Sequence, residues 1–116
     1  MSEIKYENKT IYFTTKPVVF NFEIGDVIET EDLIIVRLNI PAENETKRNL
    51  FALKPNAKFQ WQVQSSLEAY PEISVELPYE NLKKLPNGNL SVSDFFGRTF
   101  EVDINNGKLL NFHVSR

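Results

Sequence analysis

The sequence predicts an all-β fold, an antiparallel meander of about eight to ten strands that closes as a sandwich or a partly open barrel. Three observations predict it. Apolar and polar residues alternate with a period of two along most of the chain, which is the repeat of a half-buried strand. Turn signals recur at short spacing through the last third, above all Asn87-Gly88 and Asn105-Asn106-Gly107. The composition holds nine Phe, four Tyr and one Trp but few alanines, a balance that favours strands over helices.

Taken in order, residues 4–14 read as a first extended stretch. Residues 18–24, "VVFNFEI", put Val18, Phe20, Phe22 and Ile24 on one face, and Gly25-Asp26 reads as the turn that follows. "DLIIVRLNI" has Leu33 and Ile35 on one face and Ile34, Val36, Leu38 and Ile40 on the other. Apolar residues on both faces predict a central strand buried on both sides. Pro41 ends it, and a long polar loop follows. "LFALK" and "KFQWQVQ" form a hairpin around "PNA", with Trp61 sharing a core face with Phe59 and Val63. "SSLEAYPE" is a loop or short turn, and "ISVEL" is a further strand closed by Pro78.

Residues 79–85 admit two readings. Tyr79, Leu82 and Leu85 sit three apart, and Pro78 suits the first position of a helical turn. Only seven residues precede Pro86, however, which is short for a helix, so an extended segment is expected. "NLSVSD", "TFEVDI" and "KLLNFHV" complete the chain as strands joined by the "FFG" and "NNG" turns.

The two clearest hairpins match in spacing. Phe51 and Leu53 precede Phe59, Trp61 and Val63 as Val102 and Ile104 precede Leu110, Phe112 and Val114, at a gap-free offset of 51 residues. This predicts one domain, residues 1–116, built from two units near residues 15–64 and 65–116, with the matched residues sharing a core. "VDINNGKLLNF" (102–112), "FALKPNAKFQW" (51–61, with Ala57 in place of a glycine) and "DFFGRTFEVD" resemble the outer strands of quinoprotein-type β-propeller repeats. The chain also resembles short bacterial proteins built from such hairpins. The resemblance implies blade-like hairpins but no cofactor. The quinoprotein site forms in the channel of a closed ring, and propellers have four to eight blades, so two units do not make that channel. Two such sheets bury their apolar faces against each other and leave edges, which points to a monomer or an edge-paired homodimer.

Composition narrows the function. The chain has 116 residues and no cysteine, which excludes disulfides, thiolate chemistry and Cys-based zinc sites. The acidic N-terminus lacks the apolar core of a signal peptide, and no apolar run reaches the roughly 20 residues of a membrane span. A cytoplasmic protein that binds no membrane is the expectation. A net charge of -3 argues against a nucleic-acid binder that relies on phosphate attraction. Residues 1–45 carry nine acids against four bases, and residues 46–116 seven acids against nine bases, so the excess is N-terminal.

Four acids, Asp26, Glu29, Glu31 and Asp32, form the densest cluster. They lack the spacing of a calcium loop, so docking on a basic protein surface is the functional reading and a solvated hairpin loop the structural one. Phe95 and Phe96 lie at a turn, where an exposed ring anchors a partner or stacks on a sugar. Asp94 and Asp103 precede turns and are expected to bond their own backbone. His113 is the only histidine and stands alone, without a visible triad or metal cluster. No nucleophile, acid–base pair, metal set or cofactor site emerges. The sequence thus predicts a non-enzymatic binding module of immunity or accessory type, with a small-molecule or carbohydrate-binding module as the alternative.

Overall fold

The computed structural model describes residues 4–41 and 47–114. Its described residues form eleven strands in three antiparallel sheets. A small sheet joins β1 (Lys5–Glu7), β2 (Thr10–Tyr12) and β3 (Pro17–Val19). A first meander runs in chain order through β4 (Ile24–Glu29), β5 (Ile34–Leu38), β6 (Leu50–Leu53) and β7 (Phe59–Gln62). A second does the same through β8 (Tyr79–Lys84), β9 (Leu90–Asp94), β10 (Arg98–Val102) and β11 (Leu109–Val114). One helical turn, α1 (Ser66–Ala69), and a 3-10 turn over Pro71–Ile73 connect the meanders. No helix among the described residues is long and apolar enough to cross a membrane.

The architecture is a sandwich of all-β layers rather than a closed barrel. β5 lies at its centre, and all five of its residues are buried. Ile35 faces the second meander and packs in a core with Leu50, Ala52, Trp61, Val63, Leu90, Val92, Phe100 and Val102. Ile34, Val36 and Leu38 face the small sheet and pack with Ile11, Phe13, Ile24, Leu53 and Ala57. The doubly apolar pattern of "LIIVRL" is therefore the imprint of two cores sharing one strand. Residues 79–84 are a strand, as the short span before Pro86 favours.

Several expectations are corrected, and inserted residues explain most of them. Eleven strands replace eight to ten partly because residues 4–14 form a hairpin turning at Asn8, which holds a φ of 56°. The stretch 18–24 is not one strand, since β3 ends at Val19 and β4 begins at Ile24. Val18, Phe20, Phe22 and Ile24 nevertheless all pack on the second core. Gly25-Asp26 is not a turn but a β-bulge, with Ile24 opposite Leu38 and Asp26 already opposite Arg37. A Cβ at Gly25 would collide with the guanidinium of Arg37, which lies across it. The turn itself falls at residues 30–33, where the Thr30 N–H donates to the Leu33 carbonyl at 2.8 Å and the Leu33 N–H donates to Thr30 Oγ1 at 3.0 Å.

"ISVEL" does not pair as a strand. Ile73 ends the 3-10 turn, and Ser74 adopts a left-handed φ of 67° that breaks the extended run. The gap-free match between hairpins does not survive either. An extra residue, Gln60, sits between the pairs Ala52–Trp61 and Leu53–Phe59, and an extra Leu110 between Glu101–Asn111 and Val102–Leu109. Each bulge reverses the alternation. Trp61 faces the first core while Phe59 is exposed beside Phe51, and Leu109 is buried while Leu110 is exposed. Phe51 and Leu53 face the small sheet, whereas Val102, Ile104 and Phe112 face the shared core with Trp61. Two meanders exist, but their residues do not correspond at an offset of 51.

The "NNG" turn has a tertiary role. Gly107 takes a φ of 78°, and a Cβ there would stand 2.5 Å from Cε3 of Trp61. The Trp61 indole N–H donates to the Ile104 carbonyl at 2.9 Å, and the Gln64 N–H donates to the Gly107 carbonyl at 2.9 Å. This turn thus docks the second meander on the first. Gly107→Ala is expected to cost about 2–4 kcal/mol, the sum of a left-handed alanine and an overpacked contact, as a lowered urea midpoint at unchanged slope.

Candidate functional site

The candidate site lies where the start of β8 meets β5. A groove of about 430 Å³ is lined there by Arg37, Asn39, Pro41, Pro78, Tyr79, Glu80 and Phe95, among others. Its floor is a buried polar junction. Arg37 Nε donates to Asp26 Oδ2 at 2.6 Å, and its Nη1 donates to the Tyr79 carbonyl at 3.1 Å. Asn49 is fully buried beside it. Its Nδ2 donates to the Leu38 carbonyl at 2.7 Å and to the Tyr79 carbonyl at 2.9 Å, while its Oδ1 accepts the Tyr79 N–H at 2.9 Å. One amide side chain thus satisfies both backbone groups of Tyr79, where an extra residue, Glu80, bulges β8 out of its ladder. Burial, followed by the carboxylates of Glu76 and Asp94, pushes the Tyr79 phenol well above its usual range, so it stays protonated at neutral pH.

Above the groove stands the β9–β10 turn. Phe95 is 73% exposed and Phe96 57%, with ring centroids 6.4 Å apart. Two such rings in water are held there by the residues on either side. Asp94 Oδ1 accepts the backbone N–H groups of Phe96 (3.0 Å) and Arg98 (3.2 Å), and Oδ2 accepts Arg98 Nε at 2.7 Å. Both side chains of this ion pair are buried. Arg98 Nη2 also donates to the Val75 carbonyl at 2.8 Å, which ties the turn to the segment before β8. The guanidinium lies 5.5 Å from the Phe96 ring centroid, so Phe95 is the freer of the two rings.

The four N-terminal acids do not come together. Asp26 is committed to Arg37, and Glu29 accepts the Ile4 N–H at 3.0 Å. Glu31 and Asp32 sit at the tip of the β4–β5 turn, against a second cleft of about 370 Å³ that also holds Lys54. The Gly25 bulge is the reason: with the turn moved to residues 30–33, the cluster is spread along a strand rather than gathered in one loop.

Among the described residues no three His, Asp or Glu side chains are placed to hold a metal. His113 is exposed on β11 opposite Thr99, and its imidazole makes no hydrogen bond among the described residues. Glu101 lies on the outer face of the second meander, where amide donors from Asn89, Asn87 and Asn111 hold its carboxyl below the usual carboxylate range.

A family model described as a domain of unknown function matches residues 1–114. The chain belongs to the DUF7957 family. No curated protein and no solved structure matches the DUF7957 chain.

The match spans all three sheets of the DUF7957 domain, so the groove and the aromatic turn both lie inside it. Asp94 and Asp103 bond their own turns, as their positions predict; Asp103 Oδ1 accepts the Asn105 N–H at 2.9 Å. Sequence reasoning missed Arg37, Asn49 and Arg98. Arg98 had a local signal, four residues beyond Asp94 across a tight turn. Asn49 had none, because its partners lie 11 and 30 residues away.

Proposed function

We propose that the DUF7957 domain is a non-enzymatic binding module that docks a protein partner through the Phe95–Phe96 turn and the groove beside it. The observation behind this reading is the pinned aromatic pair: a buried ion pair holds two exposed rings in place at the rim of a concavity. Rigid aromatic anchors bury large apolar area at little entropic cost, and they dominate interface energetics. The polar groups of the groove floor are already engaged in structural bonds, which suits recognition better than proton transfer. Glu80 on the groove and the net charge of -3 favour a partner with a basic rim, whose role is to steer association. A chain without cysteine fits a reducing cytoplasmic setting.

A peptide-display selection on the wild-type domain tests the proposal. Peptides it enriches are expected to lose about tenfold or more in affinity for the Phe95→Ser/Phe96→Ser variant. The thermal midpoint should scarcely move, because both rings are exposed. Equal binding to both proteins would sink the reading. The groove volume also suits a small ligand. Retention of free sugars on a glycan array, abolished by Phe95→Ser with no peptide enriched, would favour that second reading.

A further inference from the structure

We infer that β11 is a dimerisation edge, on which a second copy of this chain adds its own β11 antiparallel and joins two second meanders into one eight-stranded sheet. The surface differs from the groove, and the inference does not rest on the binding reading above.

An outer strand presents unpaired backbone donors and acceptors, and folds blunt such edges with charge, proline, bulges or short length. The other outer strands here are blunted. β1 carries Lys5 and Glu7, and β3 opens on Pro17. β4 is bulged at Gly25, carries Asp26 and Glu29, and packs against β8. β8 carries Glu80, Lys83 and Lys84. β7 has four residues and a bulge at Gln60.

β11 is the exception. It has six residues, "LLNFHV", with no proline, no glycine and no Asp, Glu, Lys or Arg. Among the described residues its ladder runs to β10 alone. At its start Gln64 Oε1 accepts the Leu109 N–H, and beyond the bulge at Leu110 the strand is regular and, apart from Phe112 on the core face, exposed. Leu110 is 47% exposed and Val114 56%, a water-facing apolar pair at the two ends of the free stretch.

The strand is complementary to itself, which selects a second copy over an unrelated strand. Isologous pairing about a two-fold axis at Phe112 sets Leu110 beside Val114 of the second copy and Asn111 beside its His113. Apolar thus meets apolar. The Asn111 amide already donates to Glu101, which leaves its oxygen to accept an imidazole N–H. Between Leu110 and Val114 no like charges meet.

Sedimentation equilibrium on the full chain reads the outcome. The wild type is expected at twice the 13.5 kDa chain mass. Leu110→Lys with Val114→Lys places cation beside cation in this register and should leave single chains. Leu110→Lys with Val114→Glu places every new cation beside a new carboxylate and should restore the dimer. Both sites are exposed, so each variant folds, with circular dichroism as the check. A wild type that stays single up to about 1 mM overturns the inference. So does a dimer that persists in the double-lysine variant, or a Lys/Glu variant that stays single while folded.

Discussion

Asp94→Ala is expected to cost about 3–5 kcal/mol of folding stability, the range for removing one partner of a buried ion pair. The loss has two parts. The Arg98 guanidinium is left buried without its counter-charge, and the N–H groups of Phe96 and Arg98 lose their acceptor. The two parts separate experimentally. Combining Asp94→Ala with Arg98→Met removes the stranded charge but not the stranded N–H groups. The double variant should therefore be more stable than Asp94→Ala alone, yet below wild type. Urea unfolding of the wild type, the two single variants and the double variant measures this, and a double variant whose loss is the sum of the singles would refute the pairing account. Because the same carboxylate shapes the Phe95–Phe96 turn, Asp94→Ala should also loosen the candidate site, visible as faster amide exchange at residues 95–98.

Asn49→Ala should have a comparable effect, about 3–5 kcal/mol, from three lost hydrogen bonds and a Tyr79 N–H buried without an acceptor. Asn49→Asp is the sharper probe. It keeps the size and the acceptor for the Tyr79 N–H but replaces a donor to two carbonyl oxygens by a second acceptor. If Asn49 acts by satisfying the Tyr79 backbone, Asn49→Asp should be no better than Asn49→Ala. If it merely fills space, Asn49→Asp should approach wild type. Thermal or urea unfolding of the pair decides between them. A weakened junction also frees Arg37, whose second donor rests on the Tyr79 carbonyl, so the groove should lose its shape as the seam between β5 and β8 opens.

The parts of the fold that were legible depend on short-range rules. The doubly apolar run from Leu33 to Ile40 announced a strand between two cores, because its pattern records burial on both faces. The aspartates before turns announced their own backbone bonds, since an Asx turn involves residues two apart. The place of Phe95 and Phe96 at a hairpin tip implied that at least one ring is exposed, and both are. Alternation misled where a bulge intervened. Nothing in "KFQWQ" marks Gln60 as the extra residue, yet that one insertion separates Phe59 from Trp61. The spread of the acidic cluster was not legible, because Gly25-Asp26 has the composition of a turn and the geometry of a bulge.

By itself, then, the sequence determined the all-β class, the central strand, the last three hairpin turns and the aromatic tip, because each follows from local period, turn chemistry or side-chain polarity. Only the tertiary structure decided which face each strand buries beyond its bulges, and which polar groups meet at the groove floor. A bulge is chosen by the fit of two sheets, as the Trp61 ring against Gly107 illustrates. A buried amide such as Asn49 is stable only when distant backbone groups arrive unsatisfied at the same point. Both are properties of contacts between segments far apart in the chain, which no single stretch of sequence contains.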